Sequence, residues 1–234
     1  HFLSEPLQMI QAEPLIARLA AEGEGMTFGV TVLLLAMQNP VVVAENAASL
    51  DWITGGKYVL GVGLGYRPEE FEALGVDFKQ RVSRFEEAIP LIRRLWTEDS
   101  VTHHGTHFTV GGLGASIKPK RVGGPPIWVG GDVLAAVKRA ARLNCPWIAP
   151  PTMTFMEIAE RVKVYRETIL KIDGGDVNEQ PIVREVAIGA TKEQALQAAG
   201  PALLAKYESY ASWGQTATKE QPRLADNFDE FIKD

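Results

Sequence analysis

Cysteine occurs once in the 234 residues, at Cys145, so the chain has no partner for an internal disulfide and no thiolate set for a metal cluster. Histidine is nearly as scarce, with His1, His103, His104 and His107 making up the four. Long apolar runs are missing as well. The longest, such as Val30 to Met37, fall far short of the roughly 20 residues that span a bilayer, so no membrane association is expected. Nor is there a basic excess: 24 lysines and arginines stand against 29 aspartates and glutamates, for a net charge of −5. Nucleic-acid binding calls for a basic stripe, and no nucleic-acid partner is expected. The low cysteine count fits a reducing compartment, and the cytoplasm is the expected location. Neither end reads as a natural boundary, because the chain opens on His1-Phe2 without methionine and stops on Ile232-Lys233-Asp234. A chain lacking flanking segments is therefore expected.

Apolar residues make up 46% of the chain, enough for a sizeable core in one domain over 1–234. Leu15, Ile16, Leu19 and Ala20 recur at helical spacing and predict a helix over Glu13–Glu22. The apolar, β-branched run Thr27–Leu35 predicts a strand buried on both faces. Pro40 suits the first turn of a helix reaching Asp51. Tyr58–Gly63 is the next buried strand, and a loop over Leu64–Gln80 leads to a helix at Arg81–Trp96 with Pro90 inside it. His103–Gly124 reads as an irregular excursion and a candidate lid. Further strands are expected at Pro125–Gly130, Trp147–Ala149 and Val183–Ile188. They alternate with helices at Val133–Leu143, Phe155–Ile172 and from Thr191, a candidate N-cap. Five strands in strict alternation with helices define a parallel sheet covered by helices. A closed eight-stranded barrel and an open doubly wound sheet both fit.

Two segments stand out chemically. Gly61-Val62-Gly63-Leu64-Gly65-Tyr66 spaces glycines along a strand end. Glycine weakens a strand and often marks close approach of a ligand to the backbone; small residues filling a tapered core are the alternative. The dinucleotide fingerprint does not fit, because the third glycine is misplaced and no helix starts at once. In Trp128-Val129-Gly130-Gly131-Asp132-Val133-Leu134 a strand ends in two glycines where a helix begins. Free amides there suit an anion, and a turn capped by Asp132 is the alternative. The trio His103, His104 and His107 has no carboxylates at ligand spacing, so no metal site is expected. Arg81, Arg84, Glu86 and Glu87 read as ion-paired, and Cys145 as a buried structural thiol. Leu34, Met37, Phe71 and Trp128 suit an apolar substrate pocket.

Several segments together, in order, resemble one family. They are Asn39-Pro40, Ala44-Glu45, Leu50-Asp51-Trp52-Ile53-Thr54-Gly55-Gly56-Lys57, Leu60 to Tyr66, Glu70-Phe71, Arg84-Phe85-Glu86-Glu87, Leu95-Trp96, Gly105 to Phe108 and Pro125 to Gly131. The series is similar to the bacterial luciferase-like flavin monooxygenases. That resemblance implies a TIM-type (β/α)8 barrel, of which this chain is expected to lack the first two strands and the last one. It also implies reduced FMN, or alternatively F420, as cofactor. His1 matches the second histidine of a Glu-His-His-Phe stretch and inherits a catalytic role. Thr31 and Val32 fall at a non-prolyl cis peptide beside the cofactor. Gly63, Leu64, Gly65 and Tyr66 fall at the isoalloxazine edge, and Gly130, Gly131, Asp132, Val133 and Leu134 at the phosphate. Lys57 replaces a more usual arginine. Asp132 stands where small or hydroxyl residues are common, which shifts the phosphate toward the amides of Val133 and Leu134.

The resulting expectation is a flavin-dependent monooxygenase that uses reduced FMN and O2 on a small hydrophobic organic substrate. A separate flavin reductase and a second copy in a homodimer are the expected partners. The alternatives are an F420-dependent reductase or dehydrogenase on the same barrel, and a non-catalytic flavin-binding homologue.

Overall fold

The structure is a computed structural model that describes residues 10–172 and 179–213. Helix α1 (Ala12–Leu19) leads to strand β1 (Phe28–Leu34), and a single 3-10 turn then carries the chain into α2 (Pro40–Ile53). Asn39 caps α2 by accepting from the Val41 amide, and Pro40 occupies the first turn, where its missing N–H costs nothing. Strand β2 (Tyr58–Gly63) is buried at every position, as a strand covered on both faces must be. The stretch expected as a plain loop, Leu64–Gln80, contains the short helix α3 (Pro68–Ala73). Proline at its first position and Glu69 and Glu70 in its first turn supply a helix start that the glycines upstream obscure. Helix α4 (Arg81–Thr97) runs on through Pro90.

The region after α4 corrects the expected irregular excursion. Strands β3 (Val101–His104) and β4 (Thr109–Leu113) form an antiparallel hairpin along α4. The loop that follows is hydrogen-bonded to the body of the domain. The Trp52 indole donates to the Lys118 carbonyl at 2.8 Å. The Lys118 ammonium in turn donates to the terminal carbonyls of α4 at Leu95 and Glu98. Arg121 binds Asp51 through its backbone amide at 2.7 Å, and its guanidinium reaches the Gly56 carbonyl. These anchors lie where β2 begins, at the sheet end away from the strand C-termini.

Strand β5 (Ile127–Gly130), helix α5 (Leu134–Arg142), strand β6 (Trp147–Ile148) and helix α6 (Phe155–Lys171) complete the alternation, and α7 (Lys192–Ser212) follows. Thr154 and Glu157 form a reciprocal capping box on α6. Thr191 caps α7 as its sequence position implies. The sheet order is β1-β2-β5-β6, with every pairing parallel. Four strands rather than five are regular: the segment expected as a strand at Val183–Ile188 forms none, and one parallel bridge, between Ala149 and Ile182, lies just before it. Its Val183, Val186 and Ile188 carry the strand signal by composition, but Val186 and Ile188 are exposed, without a neighbour to pair with among the described residues. The core lies between β2, β5 and the inner faces of α2 and α4, built from residues such as Leu60, Val62, Phe85, Ile89 and Ile92.

The histidine-rich hairpin is held by one carboxylate. Glu87 on α4 accepts from His103 Nε2 at 3.0 Å and from the backbone amides of His107 and Phe108. His107 contacts Ser83 at 2.8 Å, and Arg84 lies over the Phe108 ring. The described residues hold no group of histidines and acids that fits a metal. Burial pushes the Glu87 carboxyl up, but the His103 and backbone hydrogen bonds outweigh it and hold the acid below its ordinary value. A depressed carboxyl contributes stability above its unfolded value and loses it as pH falls through the folded one. We expect Glu87→Ala to cost about 2 kcal/mol near neutral pH, because three donors lose their acceptor. Urea unfolding of both proteins at falling pH should show that difference closing on the acid side.

Candidate active site

Beyond the C-terminal ends of the four sheet strands lies a cavity of about 880 Å³. Ligands of parallel α/β proteins bind at this end, where βα loops converge. Its walls include Val30 to Leu34 of β1, Gly63 to Tyr66 after β2, Gly130 to Val133 after β5, and Ile148 with Pro150 to Thr152 after β6. Helix α5 adds Ala135, Ala136 and Arg139, helix α4 adds Arg81 and Val82, and α7 adds Lys206 and Tyr210.

The floor explains the glycines. The β1–β2 register slips between Val30 and Leu33, so Thr31 and Val32 form a bulge, and the peptide bond joining them is cis. The Val32 side chain lies over Gly63 of β2 and Gly130 of β5. A Cβ on Gly63 would sit 2.6 Å from Val32 Cγ2, and one on Gly130 would sit 2.7 Å from Val32 Cγ1. A Cβ on Gly61 would strike the Val30 carbonyl oxygen. The glycine spacing thus serves protein packing directly: Gly61 lets β1 and β2 approach, and Gly63 and Gly130 receive Val32. Gly65 has φ +80°, and a Cβ there would crowd Met37 at 2.8 Å and Phe71 at 3.2 Å.

That packing also sorts the residues proposed from sequence. Thr31, Val32, Leu34, Gly63, Leu64, Gly65, Tyr66, Gly130, Gly131, Asp132 and Val133 all line the one cavity. Leu134 opens α5 beside it. Met37 and Phe71 do not reach the cavity; they are buried beneath Gly65 and support the loop. Trp128 is also off the cavity wall, and its indole donates to Glu179 at 3.2 Å. Trp128 shares its strand face with Gly130 but lies two residues before the strand end, short of the cavity. His1 lies outside the described residues.

The α5 end of the cavity is built largely from backbone. Val133 is the N-cap of α5 and offers no side-chain hydrogen bond, so the alternative of a turn capped by Asp132 does not hold. No side chain caps the first turn of α5, which lies beside the cavity. The loop that leads into it is pinned from below. The Trp147 indole donates to the Gly131 carbonyl at 2.7 Å, and Arg161 donates to the Asp132 carbonyl at 2.9 Å. Arg139 is nearly buried and held by Glu86 at 3.0 Å. Neither Trp147 nor Arg161 had a sequence signal, because each acts across elements on a backbone oxygen.

The other end is aromatic. Burial, with Tyr210 and the Glu70 carboxylate beside it, pushes the Tyr66 phenol up, so it meets the cavity as a neutral hydroxyl. Lys206 on α7 pairs with Glu185 at 2.7 Å, and the Tyr207 hydroxyl donates to the same carboxylate oxygen. Cys145, by contrast, is fully buried, and burial pushes its thiol up to about 11 despite the neighbouring Arg93. It takes no part in the site.

A helix-covered parallel sheet with a cavity over its strand C-termini places the chain among α/β-barrel proteins whose sites are built from βα loops. It belongs to the luciferase-like monooxygenase family, whose family model matches residues 3–230. Among curated proteins, an uncharacterized protein of Mycobacterium tuberculosis is 36% identical over 135 residues, covering 58% of this chain and 46% of that one. A phthiodiolone/phenolphthiodiolone dimycocerosates ketoreductase of the same species is 33% identical over 125 residues, covering 53% and 32%. The chain spans about half the length or less of the curated relatives it matches. Among solved structures, the oxygenating constituent of 3,6-diketocamphane monooxygenase from Pseudomonas putida, in complex with FMN, superposes with TM-score 0.73 at 19% identity, over 95% of this chain and 68% of that one. An F420-dependent secondary alcohol dehydrogenase superposes with TM-score 0.71 at 18% identity, over 98% and 75%. These two likenesses bear on the fold. No helix among the described residues is long and apolar enough to cross a membrane.

Proposed function

We propose that the chain is a flavin-dependent monooxygenase that uses reduced FMN and O2 on a small, largely apolar organic substrate. The observation that carries this reading is the single cavity that joins the first turn of α5 to the floor where Val32 packs over Gly63 and Gly130. The residues present fit such a cofactor. The α5 amides, with Arg81 and Arg139 in the same wall, would hold its phosphate. Val32 and the backbone from Gly63 to Tyr66 would meet its ring. When bound, the reduced flavin supplies two electrons to oxygen, chemistry that belongs to the cofactor.

The chain's own residues bind, orient and exclude water. Val32, Leu34 and Ile148 give the ring and substrate an apolar surround. Tyr66 offers a neutral hydroxyl that stays protonated across physiological pH. The reductant would come from a separate flavin reductase, a homodimer is the proposed assembly, and His1 keeps its proposed catalytic role. One observation favours a second reading, F420-dependent ketone reduction or alcohol oxidation. Curated ketoreductases match at 32 to 33% identity. The test is oxygen uptake by the full chain supplied with reduced FMN and a panel of small ketones. Uptake coupled to an oxygenated product supports the first reading. Reduction of F420 by a secondary alcohol, with no oxygen consumed, supports the second. Neither activity with either cofactor would sink both.

A further inference from the structure

We propose that Lys206 is a positioning residue that orients the substrate by donating to a neutral acceptor oxygen on it. This deepens the reading above and rests on it. Lys206 and Tyr210 form the α7 wall of the cavity, and Tyr210 lies beside Tyr66 of the loop after β2. The Lys206 ammonium lies 2.7 Å from Glu185 Oε1, and 5.3 and 5.5 Å from the ring centroids of Tyr207 and Tyr210. An ammonium has three donors and no acceptor. Among the described residues Glu185 is the one hydrogen-bond partner that Lys206 has.

Charge and geometry narrow the ligand. Glu185 already balances the ammonium, and the Tyr207 hydroxyl donates to the same carboxylate oxygen. Burial pushes Glu185 up, but the hydrogen bonds of Lys206 and Tyr207 prevail and keep it ionised. A carboxylate or phosphate on the substrate would meet this fixed negative charge. A neutral acceptor would satisfy the remaining ammonium donors without that repulsion. A pure hydrocarbon would cover those donors and leave them unpaired, which is costly. The apolar body of such a molecule has Leu34 and the Tyr210 ring to rest on within the same cavity.

The probes are cyclohexanone and methylenecyclohexane, which have nearly the same shape and differ in the oxygen. Their binding to the full chain is read by saturation-transfer NMR, with and without FMN. Wild type is expected to prefer the ketone by about tenfold, the worth of one hydrogen bond to a charged donor. Lys206→Met should lose that preference while still binding methylenecyclohexane, and Lys206→Arg should recover most of it. Circular dichroism reports whether each variant folds; where Lys206→Met does not, Lys206→Leu takes its place. Equal binding of the two probes to wild type, or a ketone preference that survives in the folded variant, overturns the proposal. FMN and F420 fluorescence in the same samples reports separately on the cofactor reading. Loss of both cofactors with the ketone preference intact would overturn the function proposed above and leave the role of Lys206 standing.

Discussion

Gly61→Ala is expected to cost about 3 kcal/mol or more of stability, whereas Gly63→Ala costs less and is rescued by a second substitution. The two glycines lie two residues apart on β2 and look alike in sequence. Their surroundings differ in what can yield. A methyl on Gly61 meets the Val30 carbonyl oxygen, with Ile148 Cδ1 at 3.2 Å on the other side. Relief there means separating β1 from β2, whose pairing runs from Phe28–Tyr58 to Leu34–Gly63. A methyl on Gly63 meets only the Val32 side chain, at 2.6 Å. Val32→Ala removes the atoms in conflict, so the double variant should be more stable than the sum of the single losses by about 1 kcal/mol or more. Urea unfolding of the four proteins reads both numbers. Gly61→Ala unfolding at the wild-type midpoint would show that β1 can move away, contrary to the packing described.

Ala135→Glu is expected to separate cofactor binding from stability. Ala135 is exposed at the second position of α5 and lines the cavity. A carboxylate in the first turn of a helix is favourable by about 0.3–1 kcal/mol, so the fold should be unharmed. The same charge would oppose a phosphate seated at the α5 amides by about 2 kcal/mol at an effective dielectric near 20, or roughly 30-fold in FMN affinity. Riboflavin, which lacks the phosphate, should bind as before. Asp132→Asn acts in the opposite direction: it removes a carboxylate from the cavity wall, and because Asp132 does not cap α5 the helix keeps its start. FMN should bind this variant several-fold more tightly. Fluorescence titration beside thermal unfolding checks both.

Much of this arrangement is legible in the residue pattern. β2 can be read to the residue, because a strand buried on both faces shows as an unbroken apolar run ended by glycines. The α5 start is legible as two glycines before a helical period, and the cavity indeed gathers those positions. The purpose of the glycines is not legible. Gly63 and Gly130 answer to Val32, 31 and 98 positions away respectively, and no local pattern carries that contact. Met37 and Phe71 are apolar in the right neighbourhood, yet apolarity does not distinguish a cavity wall from the packing beneath it. The hairpin β3–β4 is hidden because its turn, Gly105 to Phe108, is fixed by Glu87 on a different element. Lys206 gives no signal at all, since a lysine on a long helix is ordinarily solvated.

The central claim is that the cavity over the strand C-termini holds a phosphate-bearing flavin or deazaflavin with its phosphate at α5. The direct test is a fluorescence titration of the full chain with FMN, riboflavin and F420, repeated on Ala135→Glu. We expect FMN or F420 to bind in the micromolar range, roughly −8 kcal/mol, and riboflavin to bind at least about tenfold more weakly than FMN. Ala135→Glu should erase the difference between FMN and riboflavin. Failure of both FMN and F420 to bind, or riboflavin binding as tightly as FMN, would contradict the account.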